Sequence, residues 1–274
     1  MTRYIPREQL EHLIWKPGET APALPKPGPN GTQKKEELES RYILMPRADT
    51  YAQGLHALRN ACQADANSVH PTFTLDDGSN IYRPLTLKED ITARVTDYNT
   101  LHNHDGSERT PQERLRLFTE RWLDSCTGVA YKKGTGKCKV VLQSKELITL
   151  PEDFNSDYFP INYNDIAGIE LDRTAATYNA LLNKNQVENH PAWRAAVEDD
   201  VTLLREYRDI VFAEKKTETA MCFWLRTDIL EGQLRALFVD NLINYSSANG
   251  YGYLGNFGSF LLVAPSSGAP KVPL

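Results

Sequence analysis

The chain contains no C-x-x-C pair, no glycine-rich loop opening a helix and no nucleophile elbow. It also lacks any apolar run long enough to cross a bilayer. Each absence excludes a class of chemistry. The four cysteines, at 62, 126, 138 and 222, are too scattered for a zinc ribbon or a thioredoxin-type site and read as buried reduced thiols. The longest apolar runs, such as Phe260 to Ala264, fall far short of the roughly 20 residues of a spanning helix. The first thirteen residues carry no apolar signal-peptide core, so the expected compartment is cytoplasmic by default, with surface display by another route left open. No stretch of lysine or arginine forms a basic arm, and 31 basic against 36 acidic residues give a net charge of -5, so nucleic acid is not an expected partner.

Catalytic signatures are equally sparse. Gly250, Gly252 and Gly255 have dinucleotide-loop spacing, but no helical pattern follows them, so they are not read as a phosphate cradle. His102, His104 and Asp105 could meet around a metal, yet a third ligand at useful spacing is missing and a solvated loop explains them. Asp199-Asp200 and Glu36-Glu37-Glu39 read as solvated helix faces rather than acid–base pairs. No cofactor and no metal is expected.

What is present is ordinary globular material: 274 residues, 41% hydrophobic and 24% charged, enough for one large domain or two small ones. Residues 1–40 read as a short helix followed by an arm containing Pro17, Pro22, Pro25, Pro27 and Pro29, since proline at that density favours extended chain. Residues 41–274 read as the folded domain.

Within it, Tyr51, Leu55, Leu58 and Cys62 share a face at helical spacing, predicting a helix over about 49–64. Asp76-Asp77-Gly78-Ser79 between two short β-prone runs predicts a hairpin. Ile91 to Val95 is expected as a strand. Thr110-Pro111-Gln112-Glu113 forms a capping box and predicts a helix whose face carries Leu115, Phe118 and Trp122. Strands are expected over 138–142, 166–171, 220–226, 233–239 and 259–264. Residues 151–185 read otherwise as long ordered loops, and a third helix is expected over 191–212 with Trp193, Val197, Val201, Leu204 and Val211 as its stripe.

The C-terminal part differs from the rest. From Leu234 to Pro270 there is no Lys, Glu, Gln, Met or Trp, although these types make up about a sixth of the chain. Random placement leaves such a gap on the order of one time in a thousand. Tyr245, Tyr251, Tyr253 and Phe257 are interleaved there with Ser, Asn and Gly, which is the composition of recognition loops. The five missing types are also those that an AAC or AAT codon cannot reach when only its adenines are randomised, and all of Asn241 to Phe257 obeys that restriction. A Gly- and Tyr-rich hairpin loop with no such history obeys it too.

Trp224-Leu225-Arg226, the run Leu234 to Val239, the Asn/Tyr/Ser/Gly stretch and Gly258-Ser259-Phe260-Leu261-Leu262-Val263 resemble the end of a C-type lectin-like domain. More narrowly, they resemble the variable proteins of diversity-generating retroelements, of archaeal type, in which adenine-directed errors are copied into the 3' end of a target gene. The resemblance spans about the last 55 residues. It implies an α+β, C-type lectin-like fold, with two or three helices packed on small antiparallel sheets and long ordered loops. The variable, ligand-binding region would be about 224–264. It implies a non-catalytic binding protein with an unknown protein or other macromolecular ligand. The implied site comprises Arg226, Thr227, Asp228 and Leu230 together with Asn244, Tyr245, Ser246, Ser247, Ala248, Asn249, Tyr251, Tyr253, Leu254, Asn256 and Phe257. Phe223, Leu237, Val239, Phe260 and Leu262 would hold the scaffold.

The sequence departs from relatives of that fold in two ways. The Glu-Pro-Asn, Gln-Pro-Asp and Trp-Asn-Asp motifs of calcium-dependent sugar binders are absent, and only Cys222 stands where formylglycine-generating enzymes need a cysteine pair. An enzyme using Cys222, His102 or His104, or an undiversified phage or structural interaction protein, remains the alternative.

Overall fold

A computed structural model describes residues 41–103, 106–119, 122–256 and 258–264. The proposed N-terminal helix and proline-rich arm lie outside the described residues, as do His104, Asp105 and Phe257.

The described chain opens with β1 (Arg41–Leu44) and α1 (Tyr51–Ala64). Thr50 caps α1 by accepting from Gln53 N, and Tyr51, Leu55, Leu58 and Cys62 are buried along one face. The hairpin β2 (Thr72–Thr74) and β3 (Asn80–Tyr82) follows, closed through Gly78 at φ 81°. Next come α2 (Leu87–Asn99), the one-turn helices α3 (Pro111–Arg114) and α4 (Arg116–Thr119), and the strands β4 (Leu123–Tyr131) and β5 (Lys137–Val141). Then follow α5 (Lys145–Ile148), β6 (Phe159–Pro160), β7 (Ile169–Asp172), α6 (Lys184–Asn189), α7 (Pro191–Ala196) and α8 (Val201–Lys215). The C-terminal part supplies β8 (Phe223–Trp224), β9 (Gln233–Val239), β10 (Ala248–Asn249) and β11 (Leu261–Ala264).

Seven strands form the main sheet, ordered β7-β5-β4-β9-β10-β8, with β6 on the free stretch of β9. All its pairings are antiparallel except β10 with β8. Every residue of β4 is buried, so its neighbours cover both faces. Alternation along β4 and β9 divides the core. Val129, Tyr131, Leu237 and Val239 face α2, α7 and α8. Ala130, Leu234 and Ala236 face α1 and the C-terminal Phe260 and Leu262. β11 returns to pair with β1, Arg41 opposite Ala264. Phe223, Leu237, Val239, Phe260 and Leu262 are all within this core.

Several elements differ from the sequence expectation. Ile91 to Val95 is helical, within α2. Thr86 and Glu89 form a reciprocal capping box, and Leu87, Ile91 and Val95 then recur at helical spacing on the buried side. The Thr110 capping box is formed, but its helix ends after one turn, and Trp122 lies beyond α4 in the approach to β4. There it is half-buried, with the Arg47 guanidinium 4.7 Å from its ring centroid and Phe238 at 6.4 Å.

The expected helix over 191–212 is broken into α7 and α8. Glu198 and Asp199 adopt φ of 54° and 63°, and Asp200 starts α8 by accepting from Leu203 N. The strand expected over 220–226 is confined to Phe223–Trp224, because Met221 takes φ 54° and breaks the extended run.

Candidate binding site

Arg235 is the one charged residue of β9 and is 2% exposed. Its Nε donates to Gln233 Oε1 at 2.7 Å, and its Nη1 donates to the carbonyls of Tyr251 (3.1 Å) and Asp157 (3.2 Å). The guanidinium lies 5.1 Å from the ring centroid of Tyr253 and 5.3 Å from that of Tyr158. Burial, reinforced by the positive charge of Arg226, holds its pKa below the ordinary arginine value. One buried cation therefore ties the backbone after β10 to the loop before β6 and underlies two tyrosine rings.

Arg226 faces the same ring. Its Nη1 is 3.5 Å from the Tyr253 hydroxyl, and its Nη2 is 3.6 Å from Asp228 Oδ2. Tyr253 is 43% exposed and Leu230 83% exposed, while Thr227 and Asp228 are also exposed. The Tyr158 hydroxyl donates to Glu231. Arg226, Tyr253, Tyr158, Glu231 and Arg235 are thus linked in one patch, with Leu230 in the adjoining loop.

The backbone beneath this patch is held by side chains from elsewhere. The Tyr131 hydroxyl donates to the Gly250 carbonyl at 2.9 Å and accepts from Arg226 N at 3.3 Å. Asn179 Oδ1 accepts from Leu225 N at 2.7 Å, and the Arg173 guanidinium donates to the Arg226 carbonyl. Gly250 and Gly252 are required by close approach rather than by a left-handed backbone. A Cβ on Gly250 would stand 2.8 Å from the Tyr131 hydroxyl, and one on Gly252 would stand 2.4 Å from the Ala236 carbonyl.

Only part of the sequence-derived site is exposed. Leu242–Asn244 makes a short 3-10 turn, and Tyr245 and Ser246 take φ of 62° and 49°. Tyr245, 37% exposed, lies under Lys215, whose Nζ is 4.3 Å from the ring centroid. Asn244 is exposed beside it. From Tyr245 the chain runs through β10 to Tyr251, at most about 20 Å of extended backbone. Along the chain, Asn244 and Tyr245 precede β10 and Tyr251 and Tyr253 follow it.

Four of the expected positions are buried and cannot present a side chain to a partner. The Ser247 hydroxyl accepts from Cys222 N and donates to the Asn244 carbonyl. Ala248 packs in the core through its pairing with Val239 and Phe223. Ser246 is fully buried, and Leu254 belongs to the α1 side of the core. Asn249 and Tyr251 are half-buried, and Asn249 Oδ1 caps Tyr251 N at 2.8 Å. Asn256 is exposed.

Sequence reasoning missed Arg235, Tyr158, Tyr131, Asn179 and Arg173. Only Arg235 carried a signal, a lone charge inside an alternating apolar strand. The others come from distant loops and strands whose pairing sequence spacing does not encode.

Of the residues an enzymatic reading would use, Cys222 and His102 are described. Cys222 is fully buried, and burial pushes its thiol up to about 12, so it is not a thiolate near neutrality. His102 is exposed in a bridge to Glu108. Among the described residues no group of three or more His, Cys, Asp or Glu side chains could hold a metal ion, and no helix is long and apolar enough to cross a membrane.

A mixed main sheet with helices packed against it, a separate small sheet in which the first and last described strands pair, and long ordered loops make the architecture of a C-type lectin-like α+β fold. A solved structure bears this fold out. The chain is similar to a protein from a study of how the C-type lectin fold accommodates massive sequence variation in Nanoarchaeota, with a TM-score of 0.51 and 15% identity. The match covers 84% of this chain and 100% of that one. No protein-family model and no curated protein matches the chain.

Proposed function

We propose that this chain is a non-catalytic binding protein whose C-terminal face engages a protein or other macromolecular ligand. We further propose that residues within Asn241 to Phe257 are diversified by adenine-directed copying from a retroelement template. The observation that carries this reading is the separation of backbone support from surface side chains. The loops bearing Arg226, Tyr251 and Tyr253 are anchored through their own amides and carbonyls by Tyr131, Arg173, Asn179 and Arg235. These four anchors lie outside the stretch from Asn241 to Phe257, while Asn249, inside it, also holds the Tyr251 amide. The identity of an exposed side chain such as Tyr253 or Asn256 is then free to change without removing a backbone hydrogen bond. The fold likeness to a Nanoarchaeota protein that accommodates massive sequence variation supports the same reading.

Tyrosines suit this role because they offer large contact area with few rotatable bonds. The decisive experiment is to sequence the DNA flanking the gene. A near-repeat of the 3' end that differs only opposite template adenines is the expected result. Codons at Asn244 to Phe257 that map onto no such repeat would remove the diversification part of the proposal and leave the binding part standing.

A further inference from the structure

Pairing across the main sheet sets four residues in one row. Asn249 stands directly opposite Trp224 of β8 on one side and Phe238 of β9 on the other, and Phe238 stands opposite Asp124 of β4. Directly opposed residues point to the same face of a sheet. Their chain neighbours Phe223, Ala248 and Val239 take the other face and lie in the core. Trp224, Asn249 and Phe238 are each half-buried. Trp122 extends the row, its ring centroid 6.4 Å from that of Phe238. Among the described residues, none of Trp122, Trp224 and Phe238 belongs to, or packs against, the three apolar clusters that make up the core. Large aromatics left partly open outside the core are the mark of an interaction surface.

The spacing and the charge of this row select its partner. Trp224 and Phe238 are two strand intervals apart, about 9.6 Å, with the smaller Asn249 between them. A polyproline II segment advances about 3.1 Å per residue with three residues per turn, so its axial repeat is about 9.3 Å. Prolines at i and i+3 of such a segment therefore fall on the two rings in succession. The segment makes no internal hydrogen bonds, so its carbonyls are free to accept from an indole N–H. The acids on this face are compensated within the fold. Asp124 accepts from Ser259 N at 2.9 Å and lies in the field of Arg47, and Asp240, two residues beyond Phe238, lies in that of Arg94. The face therefore complements an uncharged segment better than an acidic or a basic one.

We propose that this row is the docking site for an uncharged, proline-rich segment of a partner protein, with one proline on Trp224, the proline three residues on at Phe238, and Trp122 at the end of the track. This names the partner class for the binding reading above and rests on that reading. It does not rest on diversification, because all three aromatics lie outside Asn241 to Phe257.

The test is a titration of the whole chain, labelled with ¹⁵N at its tryptophans, with two synthetic peptides. One is acetyl-Ala-Pro-Pro-Leu-Pro-Pro-Ala-amide, and the control is an acetylated Gly/Ser heptapeptide amide. The indole N–H resonances of Trp224 and Trp122 are expected to shift saturably with the proline peptide below about 1 mM. That of Trp193, which is fully buried, is expected to stay in place. Phe238→Leu, which keeps an apolar side chain and removes the ring, should weaken binding about tenfold or more, and Trp224→Ala likewise. No saturable shift with the proline peptide, or an equal shift with the control, overturns the proposal. Indole shifts that depend on the chain's own concentration, without peptide, would give the row to a second copy and also overturn it. If either variant perturbs the fold, the contrast between the two peptides on the parent chain decides alone. Failure here removes the proline-rich partner and leaves the flanking-repeat test of the proposed function unaffected.

Discussion

The Arg235 guanidinium lies 5.1 Å from the Tyr253 ring centroid while its Nη1 holds the Tyr251 carbonyl two residues earlier. One buried side chain thus fixes the backbone of a loop and supports the ring that loop presents. The two roles separate energetically. Losing Arg235 strands two backbone carbonyls and leaves a gap beneath two aromatic rings. Losing Tyr253 removes mostly exposed surface. Arg235→Met should therefore destabilise the chain by about 2 to 4 kcal/mol. Tyr253→Ala should cost less than about 1 kcal/mol, as exposed substitutions do. Urea denaturation of both variants measures this directly, and equal losses would mean that Tyr253 is part of the core.

Exposure divides the C-terminal stretch into replaceable and fixed positions. Randomising Asn244, Tyr245, Tyr253 and Asn256 with NNC codons should leave most clones folded, with melting temperatures within about 5 °C of the parent. Randomising Ser247, Ala248 and Leu254 in the same way should leave few folded clones, because each is within the core or bonded to buried backbone. A protease-resistance screen of the two libraries distinguishes them. Equal survival would contradict the division between support and display.

Much of this fold was legible in local signals and little of it in long-range ones. The shared face of Tyr51, Leu55, Leu58 and Cys62 announces α1, and the Thr110 capping box marks a helix start. The length of that helix was not legible, since nothing between Leu115 and Trp122 advertises that the chain turns into β4. The composition of 241–257 pointed to a surface, and half of it is one. Ser246, Ser247 and Ala248 look the same in sequence as their exposed neighbours. What buries them is the pairing of β10 between β8 and β9, a relationship between segments many residues apart. Tyr131, Asn179 and Arg173 escaped notice for the same reason.

Trp122 illustrates the cost of misplacing an element. As the face of a long helix it would be core, and its loss would cost about 3 to 5 kcal/mol. Half-buried between Arg47 and Phe238, it contributes partial burial and one cation–π contact. Trp122→Ala should cost about 1 to 2.5 kcal/mol. A loss above that range, read from chemical denaturation, would mean that Trp122 packs more deeply than its half-exposed position indicates.

Stability should depend on pH through groups that work against one another. His70 is neutral in the fold: its Nδ1 accepts from Val263 N at 3.1 Å and its Nε2 donates to the Arg83 carbonyl at 2.7 Å. Burial lowers its pKa to about 4, and burial does the same to His190. The unfolded chain therefore takes up these protons first. Their contribution is whole above about pH 6.5 and is lost as pH falls towards 4. Asp124 behaves oppositely. Burial raises its pKa to about 7 despite the Ser259 N–H it accepts at 2.9 Å, so the fold takes up this proton first. Its contribution is whole below about pH 3.8 and is lost as pH rises through 7. Between pH 7 and 4 the two effects offset, and the parent chain should show a shallow profile. Asp124→Asn keeps an oxygen for the Ser259 N–H and removes the titration. The variant should be more stable than the parent at pH 8, by roughly 2 to 4 kcal/mol, and the advantage should shrink steadily to little or nothing at pH 4. Its own stability should fall more steeply than the parent's from pH 6.5 to 4, because one of the buried carboxyls that oppose the histidines is gone, while Asp240, which burial also raises to about 7, still opposes them. Urea midpoints of both chains at pH 8, 6 and 4 test this, and a difference independent of pH would show that Asp124 does not titrate in this range.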